Sequence, residues 1–178
     1  VFRNINLDGL MHCAFILIYP GLTLSSLFFI NNSLLASLGL ALVFCVSMFT
    51  DVFALVFGLL MGKHKLAPKI SPKKTVEGAI GGVIGSAVIN IIALFVCNWL
   101  CYNPFPIPVG FMIVLAFVIP VVSMFGDLIA STIKRNYGIK DFGNLIPGHG
   151  GIMDRLDSIS IVAPFVYCVL HFSLKVFS

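Results

Sequence analysis

Five runs of apolar residues, each long enough to cross a bilayer, divide this sequence at roughly 9–30, 34–60, 76–100, 107–133 and 155–177. A helix needs about 20 residues to span a hydrocarbon core. Inside that core every backbone N–H and C=O must be satisfied by the protein itself, which leaves helices or closed barrels. A barrel requires short alternating segments, and these runs are long and continuous. The expected fold is all-α, a polytopic helical membrane protein of about five transmembrane helices with two polar loops. Charge usage agrees. Only 10% of residues are charged, against about a quarter in a soluble domain, and the mean hydropathy is +1.07.

The connections at 31–33 and 101–106 are short and almost uncharged, whereas 61–75 and 134–154 are polar and basic. Five alternating crossings put the N-terminus and both basic loops on one side. Arg3, Lys63, Lys65, Lys69, Lys73, Lys74, Lys134, Arg135, Lys140 and Arg155 fall there, and Lys175 alone falls opposite. That asymmetry makes the basic side cytoplasmic. The first residue is valine and no signal peptide is visible ahead of the first span, so the chain reads as the trailing part of something longer.

Several features have plain structural readings. Gly78, Gly81, Gly82 and Gly85 form two overlapping GxxxG spacings, a close helix-packing face. Pro20, Pro120 and Pro164 are expected to kink their spans. Cys13, Cys45, Cys97, Cys101 and Cys168 lack zinc-site spacing and read as small buried hydrophobes.

The charges inside the spans do not read so simply. Asp51 lies about 13 Å and Asp127 about 9 Å below the basic end of their helices, at 1.5 Å per residue. An intramembrane aspartate costs roughly 2.5–3.5 kcal/mol at mid-span, so two at matching depth imply a shared polar cavity. The structural alternative is protonation, or pairing with a loop lysine. Asp154 and Asp157 open the last span at i, i+3, on one helical face. Converging carboxylates suit a hard cation such as Mg²⁺, which takes a few oxygen ligands and leaves the rest to water and phosphate. Five lysines between Lys63 and Lys74, with Ser71, Thr75 and Glu77 among them, supply the opposite charge. Topology and anionic lipid account for about half of them. Of the 18 charged residues, 15 lie in or beside the two basic loops, a concentration that suits a membrane-surface site for a phosphorylated substrate.

Covalent routes find little support. "GLLMGKH" at 58–64 is too short for a P-loop and has no Ser or Thr after its lysine. No serine or cysteine has a base partner. His149, between glycines, serves equally well as a general base or as a packing residue. His64 is a weaker candidate, and His12 and His171 read as interfacial. The residues favour metal-assisted transfer to phosphate, with positioning and charge stabilisation carrying the rate. They do not name the nucleotide.

The stretch "STIKRNYGIKDFGNLIPGHGGIMDRLDS", Ser131 to Ser158, resembles the signature of the phosphatidate cytidylyltransferase (CDP-diacylglycerol synthase) family. Ser131, Lys134, Arg135, Lys140, Asp141, Pro147, His149, Gly150, Gly151, Asp154, Arg155 and Asp157 match its fixed positions. "KLAPKISPKKTVEGAIGG", Asp51 and the "GDL" at 126–128 are similar to its other conserved blocks. The resemblance implies transfer of a cytidylyl group from CTP to phosphatidic acid. Asp127 and Asp154 would hold Mg²⁺, with Asp157 and Asp51 near and a monovalent ion such as K⁺ as a further cation. Lys134, Arg135, Lys73 and Lys74 would hold phosphates. His149 with Gly150 and Gly151 would shape the nucleotide pocket, and Ser71, Lys140, Asp141 and Arg155 would complete the substrate contacts. It further implies a homodimer in the cell (inner) membrane, multi-pass, its active site facing the cytoplasm, with no nucleic acid partner. Residues 1–178 then form a single membrane-embedded catalytic domain lacking N-terminal spans of the full-length family. Three rivals are a cytidylyltransferase for another lipid phosphate, a CTP-dependent lipid kinase, and an ion-coupled transporter. The transporter predicts a polar route to the far side, and the outer halves of the spans carry no charge apart from Lys175 at the very end of the last.

Overall fold

A computed structural model describes residues 17–32, 36–100, 108–139, 141–142 and 153–177. The elements run π-helix Leu17–Leu22, α1 Thr23–Asn31, α2 Ala36–Met61, β1 Lys65–Ala67, β2 Ser71–Thr75, α3 Val76–Leu100, α4 Val109–Asn136, a 3-10 turn Met153–Arg155 and α5 Asp157–Phe177. Among the described residues, four helices are long and apolar enough to cross a membrane: Ala36–Met61, Val76–Ala93, Val109–Asn136 and Asp157–Val176. The described part of the first expected span is helical, with Pro20 inside its π-helical stretch. Helical assignment continues through Pro120 and Pro164.

The core forms where apolar residues recur every third or fourth position. Leu38, Leu42, Val43 and Val46 of α2 meet Met112, Leu115 and Ile119 of α4 and Val162, Val166 and Leu170 of α5, with Ile30 of α1 closing the cluster. Helix α3 attaches through the glycine face. A Cβ at Gly81 would come within 2.4 Å of the Phe57 ring, and one at Gly85 within 2.6 Å of Phe53. The GxxxG spacings are therefore used within the chain, to bring α3 onto α2. Without a hydrophobic driving force in lipid, such close van der Waals contact is what holds two helices together. Cys45 and Cys168 are free thiols on exposed faces rather than in the core. An outward face bathed in lipid accepts a small apolar residue as readily as the interior does.

One polar loop contains an element that the apolar pattern does not announce. Residues 65–75 form an antiparallel β-hairpin, with Lys65 opposite Thr75 and Ala67 opposite Ser71. Its turn is closed by the Ile70 N–H donating to the Ala67 carbonyl at 3.1 Å. Pro68 stands at the position where its fixed φ presets such a turn. Thr75 ends the hairpin and caps α3: its hydroxyl accepts the Gly78 N–H at 3.1 Å.

Helix α4 stops sharply. Gly138 takes a φ of +66°, the Gly138 N–H donates to the Arg135 carbonyl and the Ile139 N–H to the Lys134 carbonyl, both at 3.0 Å. This Schellman arrangement satisfies the last carbonyls and leaves Lys134 and Arg135 in the final turn, where the helix dipole favours cations.

Candidate active site

Two ion-pair clusters meet at the hairpin end of the helices. In the first, the Lys74 ammonium pairs with the Asp127 carboxylate, whose other oxygen accepts the Ser131 hydroxyl at 3.4 Å. In the second, Lys134 Nζ donates to Asp154 Oδ1 at 2.9 Å and stands 3.8 Å from Asp157 Oδ2. The Lys134 and Asp154 side chains are only 11% and 9% exposed. The second Asp154 oxygen accepts the Phe142 N–H at 2.8 Å, and the Phe142 ring lies 5.3 Å from the Lys134 ammonium, within cation–π range. Asp157 Oδ1 accepts its neighbour's Ser158 N–H at 2.8 Å.

Each carboxylate is placed by a local feature of the chain. Asp154 belongs to the 3-10 turn and Asp157 is the first residue of α5. The pair expected on one helical face is thus split between turn and helix, yet both reach the same lysine. Asp127 approaches them because Gly126 has no side chain. A Cβ there would stand 3.1 Å from the Ser158 carbonyl and 3.2 Å from Ile161 Cβ. Asp51, Asp127 and Asp157 lie within electrostatic reach of one another, and Tyr19, from the π-helical stretch, lies within electrostatic reach of Asp157 and Asp127. Tyr19 escaped the sequence reading; a lone hydroxyl beside a proline in an apolar run was its only signal.

Asp51, Lys73, Lys74, Thr75 and Asp127 line a cavity of about 200 Å³ together with Leu66, Ala79 and Met124. Two consecutive lysines facing one cavity is not what a regular strand gives, since alternate side chains point to opposite faces. The register explains it. Between the two paired positions β1 advances from Lys65 to Ala67, while β2 covers Ser71 to Thr75. The surplus is a bulge containing Pro72, which has no N–H for the ladder, and bulges re-aim side chains in this way. A second cavity of about 360 Å³ shares Leu66, Ala79 and Met124 and is otherwise apolar, lined by Ile80, Val83, Ile84, Val121, Phe125 and Leu128. Ile80, Ile84, Val121 and Phe125 are exposed on the flank of the helices, so this groove opens sideways.

Other predicted residues stand apart from these clusters. Arg135 is exposed, donating from Nε to the Ile70 carbonyl at 3.1 Å and from Nη1 to the Ile139 carbonyl at 3.4 Å. Ser71 is half-buried within the hairpin and Asp141 is exposed. Lys140, His149, Gly150 and Gly151 lie outside the described residues, as does the side chain of Arg155.

Among the described residues no three His, Cys, Asp or Glu side chains are grouped to hold a metal ion. Mg²⁺ seldom uses such a cage; it takes one or two carboxylates plus substrate phosphates. Asp127 and Asp154, each matched to a lysine that a phosphate could draw away, fit that donor chemistry.

A sequence profile of the cytidylyltransferase family matches residues 3–173. The chain belongs to the cytidylyltransferase family. Among individual relatives it is similar to the phosphatidate cytidylyltransferase of Bacillus subtilis, 46% identical over 65 residues, which is 36% of this chain and 24% of the relative. The Synechocystis phosphatidate cytidylyltransferase is 57% identical over 53 residues, 30% of this chain and 18% of the relative. The chloroplastic phosphatidate cytidylyltransferase 4 of Arabidopsis thaliana is 53% identical over 55 residues, 31% of this chain and 14% of the relative. The matched stretches thus cover less than a quarter of each of these relatives.

Proposed function

We propose that this protein transfers a cytidylyl group from CTP to phosphatidic acid, giving CDP-diacylglycerol and pyrophosphate. One observation carries the reading: a lysine-and-carboxylate cavity at the ends of membrane helices adjoins an apolar groove open to the side, the two sharing Leu66, Ala79 and Met124. A substrate that is half phosphate and half acyl chain fits that join. The relatives' names supply the nucleotide.

The phosphate oxygen of the lipid attacks the α-phosphorus of CTP, a P–O bond forms, and the bond to the β-phosphate oxygen breaks as pyrophosphate leaves. Lys74 and Lys134 leave their carboxylates to neutralise phosphate oxygens, and Lys73 adds a cation on the same wall. Arg135 joins them through Nη2, the guanidinium nitrogen that the backbone carbonyls leave over. A Mg²⁺ ion held by Asp127 and Asp154, with Asp157 beside it, would supply charge neutralisation on the triphosphate and the leaving group. Asp51, on the wall of the same cavity, is proposed to bound the space a phosphate can enter. His149, Gly150, Gly151, Lys140, Asp141 and Arg155 are proposed to complete the nucleotide side. K⁺ as a second cation, the homodimer and the cytoplasmic orientation belong to the same proposal.

The test is product analysis in detergent with labelled CTP, phosphatidic acid and Mg²⁺, with Asp154→Asn alongside. CDP-diacylglycerol and pyrophosphate are expected from the intact protein and not from the variant. Release of CDP and a phosphorylated lipid would replace the reading with a lipid kinase. Full turnover by Asp154→Asn would remove that residue from the metal site.

A further inference from the structure

An isolated two-stranded hairpin is marginally stable at best, yet this one presents both Lys73 and Lys74 to the cavity. Something outside the hairpin must hold it. The structure shows a tie at each end. At the turn, Arg135 from the end of α4 donates to the Ile70 carbonyl. At the open end, the chain leaves α2 with the backbone N–H groups of Lys63 and His64 directed at one side chain, Glu77 in the first turn of α3. Glu77 Oε2 accepts the Lys63 N–H at 3.1 Å, both of its oxygens stand 3.2 Å from the His64 N, and its Oε1 lies 2.6 Å from His64 Nδ1. Beside it, the His64 carbonyl accepts the Val76 N–H at 2.9 Å.

We infer that Glu77 is a positioning residue: its carboxylate clamps the backbone at Lys63–His64 and so fixes the bulged strand that carries Lys73 and Lys74 over the cavity. Three features of the site favour this role over a place in the chemistry. Glu77 lines neither cavity and contacts none of Lys74, Asp127, Lys134, Asp154 and Asp157. Its oxygens are occupied by two backbone donors and an imidazole. The groups it holds are a backbone segment rather than another catalytic side chain, and hydrogen bonds from backbone N–H to a carboxylate are of the strong, charge-assisted kind. Release of the clamp would not remove a lysine; it would let Lys73 and Lys74 drift. Misplacement by ~1 Å can cost on the order of 100-fold where positioning carries the rate.

The consequence for turnover rests on the cytidylyl-transfer reading, so the experiment has an arm that does not. Wild type, Glu77→Ala and Glu77→Asp are compared in lipid nanodiscs for amide exchange across 62–75, for the rate at which an amine-acylating reagent modifies Lys74, and for kcat and KM with CTP. Glu77→Ala is expected to exchange at least about tenfold faster at Lys63 and His64, and to expose Lys74, now held on Asp127, to faster acylation. Its KM for CTP is expected to rise about tenfold, with a smaller fall in kcat. Glu77→Asp keeps the charge with a shorter reach and is expected to restore part of each readout. Unchanged exchange and acylation in Glu77→Ala would overturn the clamp. Faster exchange with unaltered Lys74 reactivity would show that the clamp does not position the lysine. A fall in kcat without faster exchange would move Glu77 into the reaction itself. If wild type makes no CDP-diacylglycerol, the functional reading fails, and the exchange and acylation arms still decide the clamp.

Discussion

Lys134 holds two carboxylates at once, and its environment makes that arrangement consequential. Removal of one partner from a buried ion pair costs about 3–5 kcal/mol, because the remaining charge stays buried without compensation. Lys134→Met would leave Asp154 and Asp157 facing each other in a nearly closed site. It is expected to lower the melting temperature in detergent sharply and to abolish turnover. Lys134→Met combined with Asp154→Asn removes one of the two uncompensated charges and is expected to regain part of the stability while staying inactive. Recovery of turnover in that double variant would mean that the pair is structural glue and that phosphate is neutralised elsewhere. The carboxylates were legible in the sequence because a charge in an apolar run is conspicuous at any distance. Their partners were not: Lys74 comes from the hairpin and Asp127 from inside α4, and only the fold decides which lysine meets which acid. Glu77 was noticed among the lysines, but a glutamate in a first helical turn has an ordinary explanation in the helix dipole, and its hold on Lys63 and His64 depends on where α2 ends.

At the scale of elements, the helices were readable from their apolar length and the hairpin was not. Ser71, Pro72, Lys73 and Lys74 carry neither β-branched residues nor alternation, so nothing local marks a strand. The strand exists because α2 and α3 are pressed together by glycines, the chain between them is short, and Glu77 and Arg135 tie its two ends. The glycine face itself was legible as a packing surface, and it is one. Gly126 does comparable work for α4 and α5, one residue from Asp127. Gly126→Leu would push the first turn of α5 away from α4 and with it Asp157. Overpacking of this kind costs roughly 1–3 kcal/mol, whereas separation of the carboxylates strikes the site directly. The expected result is a modest loss of thermal stability, measured by fluorescence in detergent, beside a loss of turnover of at least about 100-fold. Comparable fractional losses in both would show that α4–α5 contact at this point serves folding alone.

The described residues place their ion-pair chemistry at one end of the helices. The hairpin, the end of α4, the 3-10 turn and the start of α5 are joined by the Arg135–Ile70, Lys74–Asp127 and Lys134–Asp154 contacts. The described parts of the two basic loops therefore share a face, as alternating crossings require. The excess of lysine and arginine on that face predicts which way it points, since basic loops are retained in the cytoplasm. CTP is a cytosolic nucleotide, so the proposed reaction makes the same demand independently. Single cysteines in a background without the native ones can test both at once. Lys69→Cys in the hairpin turn and Tyr137→Cys after α4 are exposed positions on this face, and Asn32→Cys, between α1 and α2, lies at the opposite end. With a membrane-impermeant maleimide, the first two are expected to label only in inverted vesicles and the third only in intact spheroplasts. The reverse pattern would put the lysine cavity outside the cell, out of reach of CTP, and would defeat the cytidylyl-transfer reading. Labelling of Lys69→Cys and Tyr137→Cys from different sides would contradict the fold, because the Arg135–Ile70 bond holds those two positions to one face.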